Sequence, residues 1–184
     1  MKTLKLLVIV AISCLLLGVS GAAMAKKGAT NTNTCDLGVV PGEVVIGNLV
    51  VTSQDCVVFQ AIIMGDVIVD NTRKGDAGFI FIMRDTVVNG TVEVTGGSAV
   101  ISQTVVVENL TVKETVGETV VTETLIAGPG DMFFQDNQQV LIYHNVVQDG
   151  NIQCVGNFNP FTDPIGVVAI DNVAVSGQIT CFGQ

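Results

Sequence analysis

Gly65-Asp66-Val67-Ile68-Val69 carries a pattern of glycine, polar residue, apolar residue, any residue, apolar residue. The pattern returns as Gly47-Asn48-Leu49-Val50-Val51, Gly90-Thr91-Val92-Glu93-Val94, Gly150-Asn151-Ile152-Gln153-Cys154 and Gly177-Gln178-Ile179-Thr180-Cys181. Two looser copies, Glu108-Asn109-Leu110-Thr111-Val112 and Gly130-Asp131-Met132-Phe133-Phe134, lie between them. Counted from the first residue of each copy, the steps are 18, 25, 18, 22, 20 and 27 residues. Within a copy the alternation is that of a strand, whose side chains point to opposite faces with a period of two. A strand unit repeated about every twenty residues marks a stacked solenoid, where each coil buries its apolar side against the next.

The copies align Leu49 with Val67, Val92, Ile152 and Ile179 as one inward column, and Val51 with Val69, Val94, Cys154 and Cys181 as another. The leading glycine is expected to turn the corner between two strands with a positive φ. A second strand, such as Val105-Val106-Val107 or Asn172-Val173-Ala174-Val175, precedes each copy. No window has helical periodicity, and β-branched residues dominate. The reading is all-β: a single-domain parallel β-helix (solenoid) of about seven coils of 18–27 residues. The general chirality of parallel crossovers makes it right-handed.

Residues 1–25 read as a signal peptide. Lys2 and Lys5 precede an apolar run from Leu6 to Val19, and Ala23-Met24-Ala25 has the small-x-small form of a cleavage site. A retained anchor is the alternative, but the run is shorter than the roughly 20 residues a span needs. Cys14 as a lipidation site is disfavoured by Ala11-Ile12-Ser13 before it and by the apolar residues that continue beyond it. Residues 26–34 are small, polar and unpatterned, and are expected to be flexible; the β-helix is placed at 35–184. The expected location is secreted or periplasmic, with no stable membrane insertion once the leader is removed.

Four cysteines follow the leader: Cys35, Cys56, Cys154 and Cys181. An even count in an exported chain reads as disulfides. Cys154 and Cys181 hold the same place in two copies, and neighbouring parallel strands lie about 4.7–4.9 Å apart, within disulfide reach. Cys35 and Cys56 are 21 residues apart, again about one coil. The alternative is two stacked pairs of buried thiols. No metal is expected, because no Cys-x-x-Cys or Cys/His cluster occurs.

Without Lys2 and Lys5, six basic residues stand against 17 acidic ones, a net charge of −11. The basic residues form no stripe, which excludes binding nucleic acid by phosphate neutralisation. The lack of tryptophan and the single tyrosine disfavour an aromatic carbohydrate platform. His144 is the only histidine and has no nucleophile motif near it. Asp66 with Asp70, or Asp131 with Asp136, are the carboxylate pairs a hydrolase would need, but outward acids on a strand also make an ordinary solvated face. The same acids lack the repeat of a calcium-binding β-roll. Thr91, Thr95 and Thr111 are too interrupted by charge for an ice-binding array. No catalytic residue and no cofactor is assigned.

Two coils exceed the common step. The extra residues fall at 71–76, including Arg73, Lys74 and Asp76, and at 156–164, including Asn157, Phe158, Asn159 and Phe161. Insertions of this kind leave the stack intact and are either where solenoids tend to bind or tolerated length variation with no role. Taken together, the leader, the cysteine at the first coil, the glycine-led repeats of the Val-x-Gly-Asn-Val-x-Val kind and the Gly-Asn-Ile-Gln-Cys segment before a closing cysteine resemble small exported bacterial β-solenoid proteins. The coils are distantly similar to those of bactofilins. The resemblance implies a fold and supplies no catalytic residues. The expectation is a non-enzymatic structural or interaction module at the cell envelope or outside the cell, with a protein or glycan partner or self-association. A ligand-binding module or a carbohydrate-active β-helix enzyme is the alternative.

Overall fold

A computed structural model describes residues 32–35, 42–52, 54–72, 78–158 and 167–181. These contain no helix, so none is long and apolar enough to cross a membrane. Twenty-one strands form three sheets, and every pairing is parallel. Sheet 1 stacks Thr32–Thr34, Asn48–Thr52, Val67–Asn71, Val92–Gly96, Leu110–Lys113, Met132–Gln135, Ile152–Val155 and Ile179–Thr180. Sheet 2 stacks Cys56–Phe59, Ile80–Arg84, Ser98–Ser102, Thr119–Thr122, Val140–Tyr143 and Val167–Ile170. Sheet 3 stacks Val44–Val45, Ile62–Ile63, Val87–Val88, Val105–Val106, Leu125–Pro129, Val146–Asp149 and Val173–Ala174. From Asn48 onward the chain visits sheets 1, 2 and 3 in turn, so each coil has three sides where the repeat suggested two strands.

The register reproduces the spacing of the repeat. Leu49 pairs with Val67, then Val92, Leu110, Met132, Ile152 and Ile179, each at the step between copies. The expected inward columns are buried, except that Ile179 in the final strand is only partly covered. Sheet 2 varies size along its column, with Cys56, Phe81, Ala99, Thr119 and Val140 in register, so that a large ring lies between small neighbours.

Thr32–Thr34, expected to be flexible, is the first strand of sheet 1 and pairs with Asn48–Val50. Backbone pairing requires no apolar pattern, and Asn33 Nδ2 adds hydrogen bonds to the carbonyls of Ile46 and Asn48 at 3.1 and 3.2 Å. Both cysteine pairs are bonded, with Cα separations of 6.0 Å (Cys35–Cys56) and 4.8 Å (Cys154–Cys181). The second bridge joins adjacent strands of sheet 1, as expected. The first has a different origin. The Thr32–Asn48 register is a 16-residue step, so Cys35, which continues the first strand of sheet 1, bonds across to the first strand of sheet 2.

The motif glycines act by close approach rather than by conformation. Gly47 has φ 95°, but Gly65, Gly90, Gly130, Gly150 and Gly177 have no left-handed backbone. A Cβ on Gly65 would lie 2.7 Å from the Gly47 carbonyl oxygen, and one on Gly150 would lie 2.7 Å from the Gly130 carbonyl carbon. The left-handed corners belong instead to polar residues. Between sheets 2 and 3, Gln60, Asp85, Gln103, Glu123, His144 and Asp171 have φ of 49–55°. Each precedes a small inward residue, and in five of the six coils that residue is Thr or Asn. A left-handed L-residue costs about 1–2 kcal/mol, partly offset by the greater backbone entropy a glycine loses on folding. Gln103→Gly is therefore expected to stabilise by about 0.5–1 kcal/mol. Only an exposed 3.4 Å contact from Arg84 is lost. An unchanged or lowered midpoint in thermal unfolding would show that the corner carries no strain.

Candidate functional site

Three polar ladders hold the corners and absorb most of the residues that chemistry might have claimed. At the turn from sheet 3 to sheet 1, the second residue of five of the seven motif copies accepts a backbone N–H from the same position one coil on. Asn48 accepts from Asp66, Asp66 from Thr91, Asn109 from Asp131, Asp131 from Asn151, and Asn151 from Gln178, at 2.6–3.0 Å. The polar place in the motif is thus a side-chain rung parallel to the sheets. Asp66 and Asp131, nominated for carboxylate chemistry, are occupied in this way. Asp70 is an exposed residue whose carboxyl the Thr72 hydroxyl and N–H hold below its ordinary value. Asp136 is a left-handed corner residue, its carboxylate accepting from Gln135 at 3.0 Å.

The other two corners bury their ladders. Between sheets 1 and 2, Asn137 Oδ1 accepts from Thr115 N–H at 3.1 Å and from the Thr115 hydroxyl at 3.0 Å. Its Nδ2 donates to the Val112 carbonyl at 2.8 Å and to Asn157 Oδ1 at 3.0 Å, and its own N–H donates to Asn157 Oδ1 at 2.9 Å. Between sheets 2 and 3, Thr124, Asn145 and Asn172 repeat the scheme, with Nδ2 donating to the carbonyls of Val121 and Ile142. Asn71 sits at the first of these corners in an earlier coil. Its Oδ1 accepts Gln54 N–H at 3.3 Å, and its buried Nδ2 has no partner among the described residues.

These ladders revise one expected binding residue. Asn157, placed in the 156–164 insertion, is 4% exposed, and its Nδ2 donates to the Phe134 carbonyl at 2.9 Å. Its amide is committed to the corner, not presented to a ligand. Phe158 pairs through its backbone with Gln138 and leaves its ring half exposed. Arg73, Lys74, Asp76, Asn159 and Phe161 lie outside the described residues. Both long coils add their residues at the same connection, between a strand of sheet 1 and the next strand of sheet 2.

His144 is a corner residue whose Nε2 lies 3.4 Å from Asp171 Oδ2 and whose ring meets Tyr143 edge-on. On the outer side of sheet 1, Lys113 Nζ donates to Glu93 at 2.6 Å, and this hydrogen bond raises the ammonium above its ordinary value. Both are exposed pairs of small energetic worth. Among the described residues no group of three His, Cys, Asp or Glu side chains could hold a metal ion.

The least ordinary surface is the outer side of sheet 3. Val44, Ile62, Val87, Val105, Leu125, Val146 and Val173 stand in register, one per strand. Two residues further on, Ile46, Met64, Asn89, Val107, Gln148 and Val175 form a second row, which a bulge between Ile126 and Pro129 interrupts. Of these thirteen positions eleven are apolar, two are amides and none is charged. The rows reach solvent: Ile46 is 66% exposed and Val175 67%, although Leu125 in the middle is covered. Sheet 2 also carries an outward aliphatic row (Val57, Ile82, Val100, Val120, Leu141, Val168), with exposed Ile80 and Ile170 beside it, but Arg84, Ser98 and Ser102 break its flanks with polar groups and a charge.

This face has a sequence signal that the glycine motif conceals. Each sheet 3 strand begins with an aliphatic doublet, such as Val44-Val45, Ile62-Ile63 or Val105-Val106. On a strand, adjacent residues face opposite ways, so every doublet puts one apolar side chain in the core and one outside. No family model matches the chain, and neither a curated protein nor a solved structure does.

Proposed function

We propose that this protein is an exported, non-catalytic interaction module whose working surface is the outer side of sheet 3. The observation that supports the reading is an uncharged, largely aliphatic surface on seven strands of an otherwise acidic chain, open to water towards both ends and covered at Leu125. Contiguous apolar patches of this kind mark interaction sites, because a soluble chain gains nothing from leaving them in water. The nominated acids are engaged in corner ladders, which favours a structural reading of them over a catalytic one. The disulfides at both ends suit an oxidising compartment outside the cytoplasm.

The test compares tagged mature protein with an Ile62→Lys/Val173→Lys double variant in pull-downs from envelope and culture fractions. Both positions are exposed, so the stack should fold normally. The wild type is expected to retain partners that the double variant loses. An identical captured set, or turnover of a polysaccharide panel that an Asp66→Asn variant abolishes, would overturn the reading.

A further inference from the structure

We infer that the outer side of sheet 3 receives a cationic amphipathic helix of about twenty residues, lying across the strands along the stacking direction; this rests on that face being the working surface. Four observations carry the inference. The first is shape. Seven strands at about 4.8 Å make a strip roughly 29 Å long, and its two side-chain rows lie about 7 Å apart. A twenty-residue helix is about 30 Å long and 10–12 Å across, so its apolar stripe covers the strip.

The second is the state of the backbone. Interior strands of sheet 3 pair with a strand on each side, so their N–H and C=O groups are already used. An occupant of the face finds no backbone partners there and must satisfy its own, which a helix does and an extended peptide does not.

The third is charge. The apolar strip is uncharged, but both of its long borders are acidic. Asp85 and Asp171 lie at the corner with sheet 2, while Glu108, Asp131 and Asp149 lie at the corner with sheet 1. The described cations near these borders are Arg84, which pairs with Asp85 at 3.5 Å, and His144, which pairs with Asp171 when protonated. Lysines or arginines flanking an apolar helical stripe would meet carboxylates on both sides. The fourth is what the same charges oppose. A second copy brings acidic border against acidic border at a net charge of −11 per mature chain, and an anionic bilayer meets the same repulsion.

The test uses mature protein and a labelled synthetic twenty-residue helix with leucine on one face and lysine on both flanks. Its Glu-for-Lys counterpart and zwitterionic and anionic vesicles serve as competing probes. The lysine helix should bind saturably, weaken as salt rises, and lose at least about tenfold in affinity in the Ile62→Lys/Val173→Lys variant. Glu108→Gln/Asp149→Asn, which leaves the apolar rows intact, should weaken it several-fold, and Val100→Lys on sheet 2 should leave it unchanged. Equal binding of the glutamate helix overturns the inference, as does lysine-helix binding that ignores both sheet 3 variants. Vesicle binding or a sheet 3-dependent dimer in sedimentation, without helix binding, assigns the face to a lipid surface or a second copy instead. If the helix fails while the pull-down still depends on sheet 3, only the helical partner is refuted; if both fail, the working surface itself is wrong.

Discussion

Gly150→Ala is expected to lower the unfolding free energy by about 3 kcal/mol, enough to shift the thermal midpoint by roughly 6–12 °C in a chain of this size. The residue's φ is compatible with any side chain, so the loss comes wholly from space. A methyl group there would lie 2.7 Å from the Gly130 carbonyl carbon and nearer still to its oxygen. Because the obstacle is backbone in a sheet ladder, relief requires two coils to part, and that disturbs the pairing of Met132–Gln135 with Ile152–Val155. Gly78→Ala is the control, since nothing lies within 4 Å of the added atom. Its midpoint should stay close to that of the wild type. If Gly150→Ala matches the control in chemical denaturation, close approach is not the reason for the glycine.

Asn137→Ala should cost about 3–5 kcal/mol. The side chain is fully buried and joins three coils through Thr115, Val112 and Asn157. Alanine leaves the Thr115 N–H and the Val112 carbonyl without those partners in a dry corner, at about 1–3 kcal/mol for each orphaned group, and adds a cavity. Asn137→Asp separates hydrogen bonding from packing. It keeps the acceptor for Thr115 but sets a carboxylate oxygen against the Val112 carbonyl, so it should be destabilising at neutral pH and partly recover as acid protonates it. Asn109→Asp should be nearly neutral, because Asp66 and Asp131 already serve in that ladder. Denaturant midpoints of the three variants decide the matter. Equal effects of the two aspartates would mean that the buried ladder is no more demanding than the exposed one.

The repeat made the coil register legible because its glycine and polar residue mark the same place before successive strands of sheet 1, as in Gly90-Thr91-Val92 and Gly150-Asn151-Ile152. Sheets 2 and 3 were harder to see. Their strands are apolar on both sides, as in Ala99-Val100-Ile101, so alternation carries no contrast and the third side of the coil merges with its neighbours. Position alone was enough to pair Cys154 with Cys181. For Cys35 and Cys56 it led to the right partners through the wrong geometry, since a bridge between two sheets has no fixed spacing. The left-handed corners went unnoticed because glycine is the expected sign of positive φ. Here the sign is a polar residue before Thr or Asn, as in Asp85-Thr86 and His144-Asn145. The insertions draw the eye as binding sites, yet the doublets that build the apolar outer face of sheet 3 are equally plain in the sequence.

The two disulfides also bear on how the protein is lost. In a one-dimensional stack the terminal coil is the natural place for unravelling to start, because detaching it breaks one interface whereas opening an interior coil breaks two. Cys35–Cys56 and Cys154–Cys181 tie the first and last strands of sheet 1 to strands that follow or precede them in the stack. While the bonds are intact, a strand that peels from either end stays tethered to the stack and re-forms its pairing readily, so progressive unravelling from the ends is suppressed. Durability in an oxidising environment is then set by a rate of opening more than by equilibrium stability. A reductant, by freeing the ends, would shorten the protein's lifetime against proteases far more than it lowers its melting point.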